Sequence, residues 1–207
     1  MKEYNKDNEN LYWNGYYKTK TTRLPNSEFS EFVLNKINKF SSIIDIGCGD
    51  GRDTYFFSKN EIYTKGVDFS LETIEQNKPF SNKYLSFEHL DLSNIDKLNK
   101  KFDFGYCRFI FHSINVETED ILLKWLKNNI SYKVFIETRV FDPKNLPIEE
   151  NHYRRFFSEE SFTKKIKDLD FKILLSESSY QFSKYKDIYK VNDIKFDPLI
   201  LRMIISN

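Results

Sequence analysis

The chain is predicted to be an α/β protein built on a doubly wound, mostly parallel sheet that ends in a C-terminal antiparallel hairpin. Three observations predict it. Short β-branched or aromatic runs alternate with helix-period segments along most of the sequence, the order expected when helices cross over between parallel strands. The first of those runs, Ser42–Ile46, passes without a break into the loop Gly47-Cys48-Gly49-Asp50-Gly51 and then into a helical pattern. The last runs have no helix between them long enough for another crossover, which fits a hairpin.

Residues 1–25 are polar but include Tyr12, Trp13, Tyr16 and Tyr17, too dense a cluster for a disordered tail and without the clear period of a long helix. Two roles are open for them: a flap that patches the edge of the core, or a lid over a cofactor or substrate. Asn26-Ser27 then precede Phe29, Phe32, Val33 and Ile37, a capped helix laid on the sheet with Pro25 just outside. Ile43, Ile44 and Ile46 form a first strand buried on both faces, followed by a helix over Arg52–Lys59. The second strand is Ile62–Val67, and Ser70 caps a helix that runs to Asn77 and closes near Pro79. The third strand, Tyr84–Leu90, ends in Asp91-Leu92. The fourth is Phe102–Phe111 and the fifth Lys133–Arg139, with a helix over Thr118–Leu126 between them. Asp142–Asn151 is a polar, proline-containing loop, and Ser158 caps a helix with Phe162 and Ile166 on its apolar side. Phe171–Leu175, Tyr180–Tyr189 and Pro198–Ile205 read as the closing strands. No internal repeat divides the chain, and its 207 residues suit a single domain over residues 1–207 with a real core.

The glycine loop is where a ligand belongs. Its glycines permit positive φ and let a ligand approach bare backbone at the end of a strand, which points to a nucleotide-like cofactor. Dinucleotide enzymes show G-x-G-x-x-G with a pyrophosphate on the helix N-terminus, whereas Gly47, Gly49 and Gly51 give G-x-G-x-G. Asp45 also argues against a pyrophosphate, because a carboxylate there repels it and favours a cationic ligand. Asp68 follows the second strand where a ribose diol would sit, and Phe69 is placed to lie against adenine.

Composition narrows the partners. A formal net charge of +1 offers no polyanion-binding surface, so nucleic acid is not expected as a partner. No run of twenty apolar residues and no N-terminal signal pattern is present, so the expectation is a cytoplasmic protein without membrane insertion. Cys48 and Cys107 are expected to be buried thiols and not a disulfide. The 20 Phe and 13 Tyr accompany frequent Lys, Asn and Ile, as low-GC codon usage produces, so aromatics alone define no cofactor box here.

Asp45-Ile46-Gly47-Cys48-Gly49-Asp50-Gly51, followed by Gly66-Val67-Asp68-Phe69-Ser70, resembles the first two motifs of class I S-adenosylmethionine (SAM) dependent methyltransferases. The resemblance covers nearly the whole chain and implies a Rossmann-like seven-stranded sheet with residues 1–25 as a lid. It also implies SAM as cofactor, held by Asp45, Gly47, Cys48 and Gly49, with Asp68 on the ribose and Phe69 on the adenine. Asp91 and Leu92 would lie near the adenine amino group, Trp13 and Tyr16 would close over the site, and Cys107 or Arg108 would offer backbone beside the methionine part.

Methyl transfer is an in-line displacement, so the chain must align two partners and often remove a proton from the acceptor. His112, beyond the fourth strand, is either a general base or substrate ligand, or a satisfied structural histidine. Alternation puts Glu137 and Arg139 on one face of the fifth strand. They form either an ion pair, mutual or cross-strand, or a clamp in which Arg139 binds an anionic oxygen and Glu137 takes or directs a proton. His152-Tyr153-Arg154-Arg155-Phe156 is a cationic block suited to an anionic acceptor, or else plain surface charge. Together with the Tyr12-Trp13 segment, Pro25-Asn26-Ser27, Arg108, His112 and Asp197-Pro198 before Arg202, this block resembles small methyltransferases of bacterial capsule and cell-envelope gene clusters. Some of these belong to O-methyl phosphoramidate assembly, others act on sugars. The resemblance implies transfer to an oxygen of a small anionic or nucleotide-activated precursor. Transfer to a sugar oxygen or to the nitrogen of another small metabolite, and a SAM-binding module without catalysis, stand as alternatives. A metal-assisted variant would draw on His112, His152 and Glu137, whose order lacks a diagnostic spacing, so no metal is expected. Oligomeric state is not legible.

Overall fold

A computed structural model describes residues 3–20, 22–143, 152–182 and 197–207. Seven strands form one sheet: β1 (Ser42–Ile46), β2 (Tyr63–Asp68), β3 (Leu85–His89), β4 (Phe102–Arg108), β5 (Ile130–Arg139), β6 (Lys172–Ser179) and β7 (Ile200–Ser206). Their order is β3-β2-β1-β4-β5-β7-β6. Only β7 runs antiparallel to its neighbours, so the predicted mostly parallel sheet with a closing hairpin is the fold observed.

The helices are α1 (Lys6–Thr19), α2 (Glu28–Leu34), α3 (Arg52–Lys59), α4 (Leu71–Asn77), α5 (Val116–Asn129) and α6 (Glu159–Asp168). Side-chain oxygens at Asn5, Ser27, Ser70, Asn115 and Ser158 accept from the amide three residues on at the starts of α1, α2, α4, α5 and α6. Strand alternation sends neighbouring residues to opposite cores. Ile43, Phe104, Tyr106, Phe135 and Ile204 meet Phe29 and Val33 of α2 and Phe57 of α3. Ile44, Ile46, Cys107, Ile136 and Met203 meet α5, α6 and the 3₁₀ segment Leu92–Lys97 on the other face. Both cysteines are buried free thiols. Among the described residues, no helix is long and apolar enough to cross a membrane.

Three expectations need correction. Residues 6–19, read as lacking helical period, form α1. The fourth strand stops at Arg108 and not at Phe111, because Phe109 has φ 58°, a left-handed conformation that ends a strand. Tyr180–Phe182 form a turn and bend after a β6 that extends to Ser179. The remainder of the expected strand Tyr180–Tyr189, and residues 144–151 of the expected loop Asp142–Asn151, lie outside the described residues.

The right half of the sheet is registered by charge. Arg108, Glu137 and Arg202 are direct cross-strand neighbours on β4, β5 and β7. Glu137 has no exposed surface, and it accepts from Arg108 Nε at 3.0 Å and Arg202 Nε at 2.7 Å. The Arg202 guanidinium also lies over the Phe182 ring at 4.0 Å. Removing the carboxylate would leave the buried Arg202 and the partly buried Arg108 without the anion between them. Glu137→Ala is therefore expected to lower unfolding stability by about 3–5 kcal/mol, measured by urea denaturation followed by circular dichroism.

Candidate active site

The carboxyl ends of β1, β2 and β4 and the helix α1 enclose a cavity of about 260 Å³. One half is built by the glycine loop. Gly47, Gly49 and Gly51 have φ of 72°, 54° and 74°, so the loop doubles back as soon as β1 ends. The Gly47 and Cys48 amides both donate to the Val67 carbonyl, at 2.9 and 3.0 Å, while Thr73 Oγ1 and Asn77 Nδ2 donate to the Gly49 carbonyl from α4. Asp68 accepts from the amides of Gly49 and Ser70, each at 2.8 Å. This half is acidic: Asp45, Asp50, Asp53, Asp68 and Asp91 all line it. Asp45 sits deepest and accepts from Thr54 Oγ1 at 2.6 Å.

α1 straps over this loop. Lys6 pairs with Asp91, Lys20 with Asp50 at 2.7 Å, and Asn14 Oδ1 accepts from Ser70 Oγ at 2.7 Å. The Tyr17 hydroxyl rests where a Cβ at Gly49 would stand, so only glycine fits there. Burial, then Asp68 and Asp50, push the Tyr17 phenol well above its ordinary value, and it remains a hydroxyl. At its other end α1 reaches the cationic block: Tyr12 stacks on His152 with centroids 4.4 Å apart, and Glu9 accepts from the Tyr153 amide at 2.6 Å.

The second half of the cavity is lined by Arg108, Phe109, His112, Arg139, His152 and Arg154. The Phe109 ring lies 4.3 Å from the Arg108 guanidinium and 6.0 Å from that of Arg139, with the His112 ring edge-on at 5.6 Å. Its left-handed backbone, fixed by the amide donating to the Glu137 carbonyl at 2.7 Å, aims that ring between the two arginines. His112 is 3% exposed, and its Nδ1 stands 3.1 Å from Thr138 Oγ1 and 3.3 Å from the Arg139 amide. Burial first, then Arg139, His152, Arg155 and Arg108, hold its pKa well below the ordinary histidine value, so the ring is neutral. Arg154 donates to His152 Nε2 at 2.9 Å.

Of the residues the sequence singled out, Trp13, Tyr16, Asp45, Gly47, Cys48, Gly49, Asp68, Phe69, Asp91 and Leu92 meet at the cavity, as do His112, Arg139, His152 and Arg154. Two do not. Glu137 is set behind the cavity between Arg108 and Arg202, so the cross-strand ion pair, not the clamp, describes it. The Cys107 side chain is fully buried in the core on the α5 face. Arg155 also turns away from its neighbour Arg154, pairing with Glu119 and donating to the Phe111 carbonyl. With Glu137 engaged by two arginines, His112, His152 and Glu137 do not converge, and among the described residues no three His, Cys, Asp or Glu side chains are grouped to hold a metal ion. Glu9, Asn14 and Lys20 went unnoticed in the sequence. The signal was there, since Glu9, Trp13, Tyr17 and Lys20 recur at three- and four-residue spacing along one face of α1.

Asp45 gives this half a pH signature. Burial, with Asp53 and Asp68 adding to it, pushes its carboxyl up to about 8 from an unfolded value of 3.8, against the Thr54 hydroxyl and Arg108. Between those values the folded chain keeps a proton that the unfolded chain has lost, so this group's contribution to stability declines as pH rises through that window. Asp45→Asn is expected to raise the Tm at pH 8 and leave it nearly unchanged at pH 4, as differential scanning calorimetry across this range would show.

Residues 17–176 match the family model described as a methyltransferase domain. No curated protein sequence matches the chain. Among solved structures, a SAM-dependent methyltransferase from Anabaena variabilis ATCC 29413 is similar at 20% identity and TM-score 0.70, over 99% of this chain and 96% of that one. Geranyl diphosphate C-methyltransferase from Streptomyces coelicolor A3(2), in complex with Mg2+, geranyl diphosphate and S-adenosyl-L-homocysteine, superposes at TM-score 0.75 with 9% identity, over 97% of both chains. The 1,6-didemethyltoxoflavin-N1-methyltransferase of Burkholderia thailandensis, with 1,6-didemethyltoxoflavin and S-adenosylhomocysteine bound, is 16% identical at TM-score 0.67, over 86% of this chain and 76% of that one. At these identities the likeness is one of fold. With the family match spanning more than half of its length, the chain belongs to the methyltransferase domain family.

Proposed function

We propose that this protein transfers a methyl group from SAM to an oxygen of a small anionic or nucleotide-activated precursor of a capsular polysaccharide, with methyl phosphoramidate assembly as one such route. It acts in the cytoplasm. The observation that carries this reading is the division of one cavity into a half around the glycine loop lined by five aspartates and a half lined by three arginines and two histidines.

When bound, SAM supplies a methyl group on a positively charged sulfur. The residues present suit it: a glycine loop with positive φ at Gly47, Gly49 and Gly51 that turns bare backbone to the cavity, and buried acidic groups that favour a cation. Asp68 takes the ribose hydroxyls, Phe69 covers the adenine, and Trp13, Tyr16 and Tyr17 close the site from α1. Arg108, Arg139 and Arg154 take the acceptor's negative charge and align it with the methyl group. α1 serves as a lid, anchored over the acidic half by Lys6 and Lys20 and over the cationic half by Tyr12 and Glu9.

Asp68→Ala is expected to weaken SAM binding by roughly 1.5–3 kcal/mol through loss of a charged hydrogen bond. Calorimetry finding tight NAD binding and none to SAM would overturn the cofactor assignment. Deleting residues 1 to 20 should impair SAM binding more than folding, because the sheet and its crossovers stay whole; a truncated chain with no soluble fraction would make that segment part of the core. For the acceptor, labelled SAM is offered with phosphoramidates, nucleotide sugars and free sugars. Label should pass to the anionic compounds, and Arg154→Ala should abolish most of that transfer. Label passing to neutral sugars at an undiminished rate in the Arg154→Ala variant would contradict an anionic acceptor.

A further inference from the structure

The second half of the cavity fixes which nitrogen of its histidine can work. The Arg139 backbone N–H can only donate, and it points at His112 Nδ1 from 3.3 Å, so Nδ1 presents a lone pair. Thr138 Oγ1, 3.1 Å from the same atom, also reaches the Arg139 carbonyl at 3.5 Å, so the strand amide is what sets the tautomer. A neutral imidazole with Nδ1 as acceptor carries its proton on Nε2. Among the described residues no protein group bonds Nε2, and the ring lines the cavity. What His112 offers a bound acceptor is therefore a hydrogen-bond donor; a base would need the lone pair that Arg139 already holds.

The surroundings keep it so. The groups that act on the ring are Arg139 of β5, Arg108 of β4, and His152 and Arg155 of the segment crossing its carbonyl, where the Arg155 amide donates to His112 O at 2.8 Å. After burial, the groups that act most on the ring, led by the Arg139 guanidinium, each oppose a proton on it. Among the described residues, the five aspartates of the cavity, Asp45, Asp50, Asp53, Asp68 and Asp91, are on its other side, and Glu9, bonded to the Tyr153 amide, is the carboxylate that reaches the cationic block. Arg108, Arg139 and Arg154 line this part of the cavity beside the His112 N–H donor.

We propose that His112 holds the methyl acceptor as a neutral donor through Nε2–H, and that the acceptor atom is an oxygen already ionised when it binds, such as that of a phosphate, phosphoramidate or carboxylate. This rests on the SAM reading above. The transfer then balances without a proton: the acceptor's O⁻ forms the O–C bond, the C–S bond breaks with its electron pair passing to sulfur, and the negative charge of one partner cancels the positive charge of the other. His112 and the arginines bind the oxygens' other lone pairs, which leaves one lone pair directed at the methyl carbon.

The test uses the full chain with S-adenosylhomocysteine, labelled with ¹⁵N in its 3 histidines. Long-range ¹H–¹⁵N spectra, with His112 assigned by its absence in His112→Gln, are expected to show a protonated Nε2 and a bare Nδ1 from pH 6 to 8. Inorganic phosphate should shift the Nε2–H signal, and Arg139→Gln should weaken that phosphate effect at least tenfold. A proton on Nδ1, or a ring that titrates within this range, would overturn the donor role. A Nε2–H signal indifferent to saturating phosphate would overturn the ionised acceptor. If calorimetry shows no S-adenosylhomocysteine binding while phosphate still moves the His112 signal, the cofactor reading fails and the donor assignment stands.

Discussion

Glu137 is the constraint on which the working half of the molecule depends. A carboxylate with no exposed surface, on the central strand of three, is tolerable only while both of its oxygens are bonded to cations. Arg108 and Arg202 meet that condition only in one register of β4, β5 and β7, because a slip by one residue would turn Glu137 to the apolar α5 face. The same register places Arg108 at the end of β4 and Arg139 two residues beyond Glu137, both at the cavity. It also seats Phe109, whose amide reaches the Glu137 carbonyl and whose ring stands near both guanidinium groups. A residue that does not itself line the cavity thus helps set where the cavity's cations are.

The near-neutral net charge of +1 conceals a separation across a short distance. Five aspartates, with Lys20 and Arg52 beside them, line the glycine-loop half, and three arginines, with Glu9 at the Tyr153 amide, line the other. Burial, with Asp53 and Asp68 adding to it, raises the Asp45 carboxyl, and a cation beside it would favour its ionised form. A cationic methyl donor and an anionic acceptor would each be drawn to a different half, and their meeting point is where those halves join. α1 and the residue after it contact both halves, with lysines over the aspartates and Tyr12 and Glu9 over the cationic block, so one segment packs against both sides of the cavity.

Much of the fold was legible because its signals are local. Ser27, Ser70 and Ser158 cap helices where expected, since a hydroxyl one position before a helix bonds an amide that is close in sequence. The glycine loop and the two acids behind strands one and two were equally plain, because positive φ at alternate residues has few solutions other than glycine. α1 was missed for a physical reason. Its recurring face is Glu9, Trp13, Tyr17 and Lys20, polar and aromatic because it covers a cavity and not a core, so the aliphatic stripe that marks a helix is absent.

The sequence by itself determined the αβ alternation, the SAM-type loop and the set of ionisable side chains near the strand ends, because these follow from residue spacing and backbone sterics. Only the tertiary structure decided what each of those side chains does. Glu137 and Arg139 share a strand face, yet Arg202, sixty-five positions along the chain from Glu137, claims the carboxylate and leaves Arg139 at the cavity. Arg154 and Arg155 are adjacent, yet Glu119 of α5 draws the second away. His112 became a donor because a strand amide occupies Nδ1. In each case the deciding partner is far away in sequence, and the competition among buried charges and hydrogen bonds that settles it exists only once the sheet has formed.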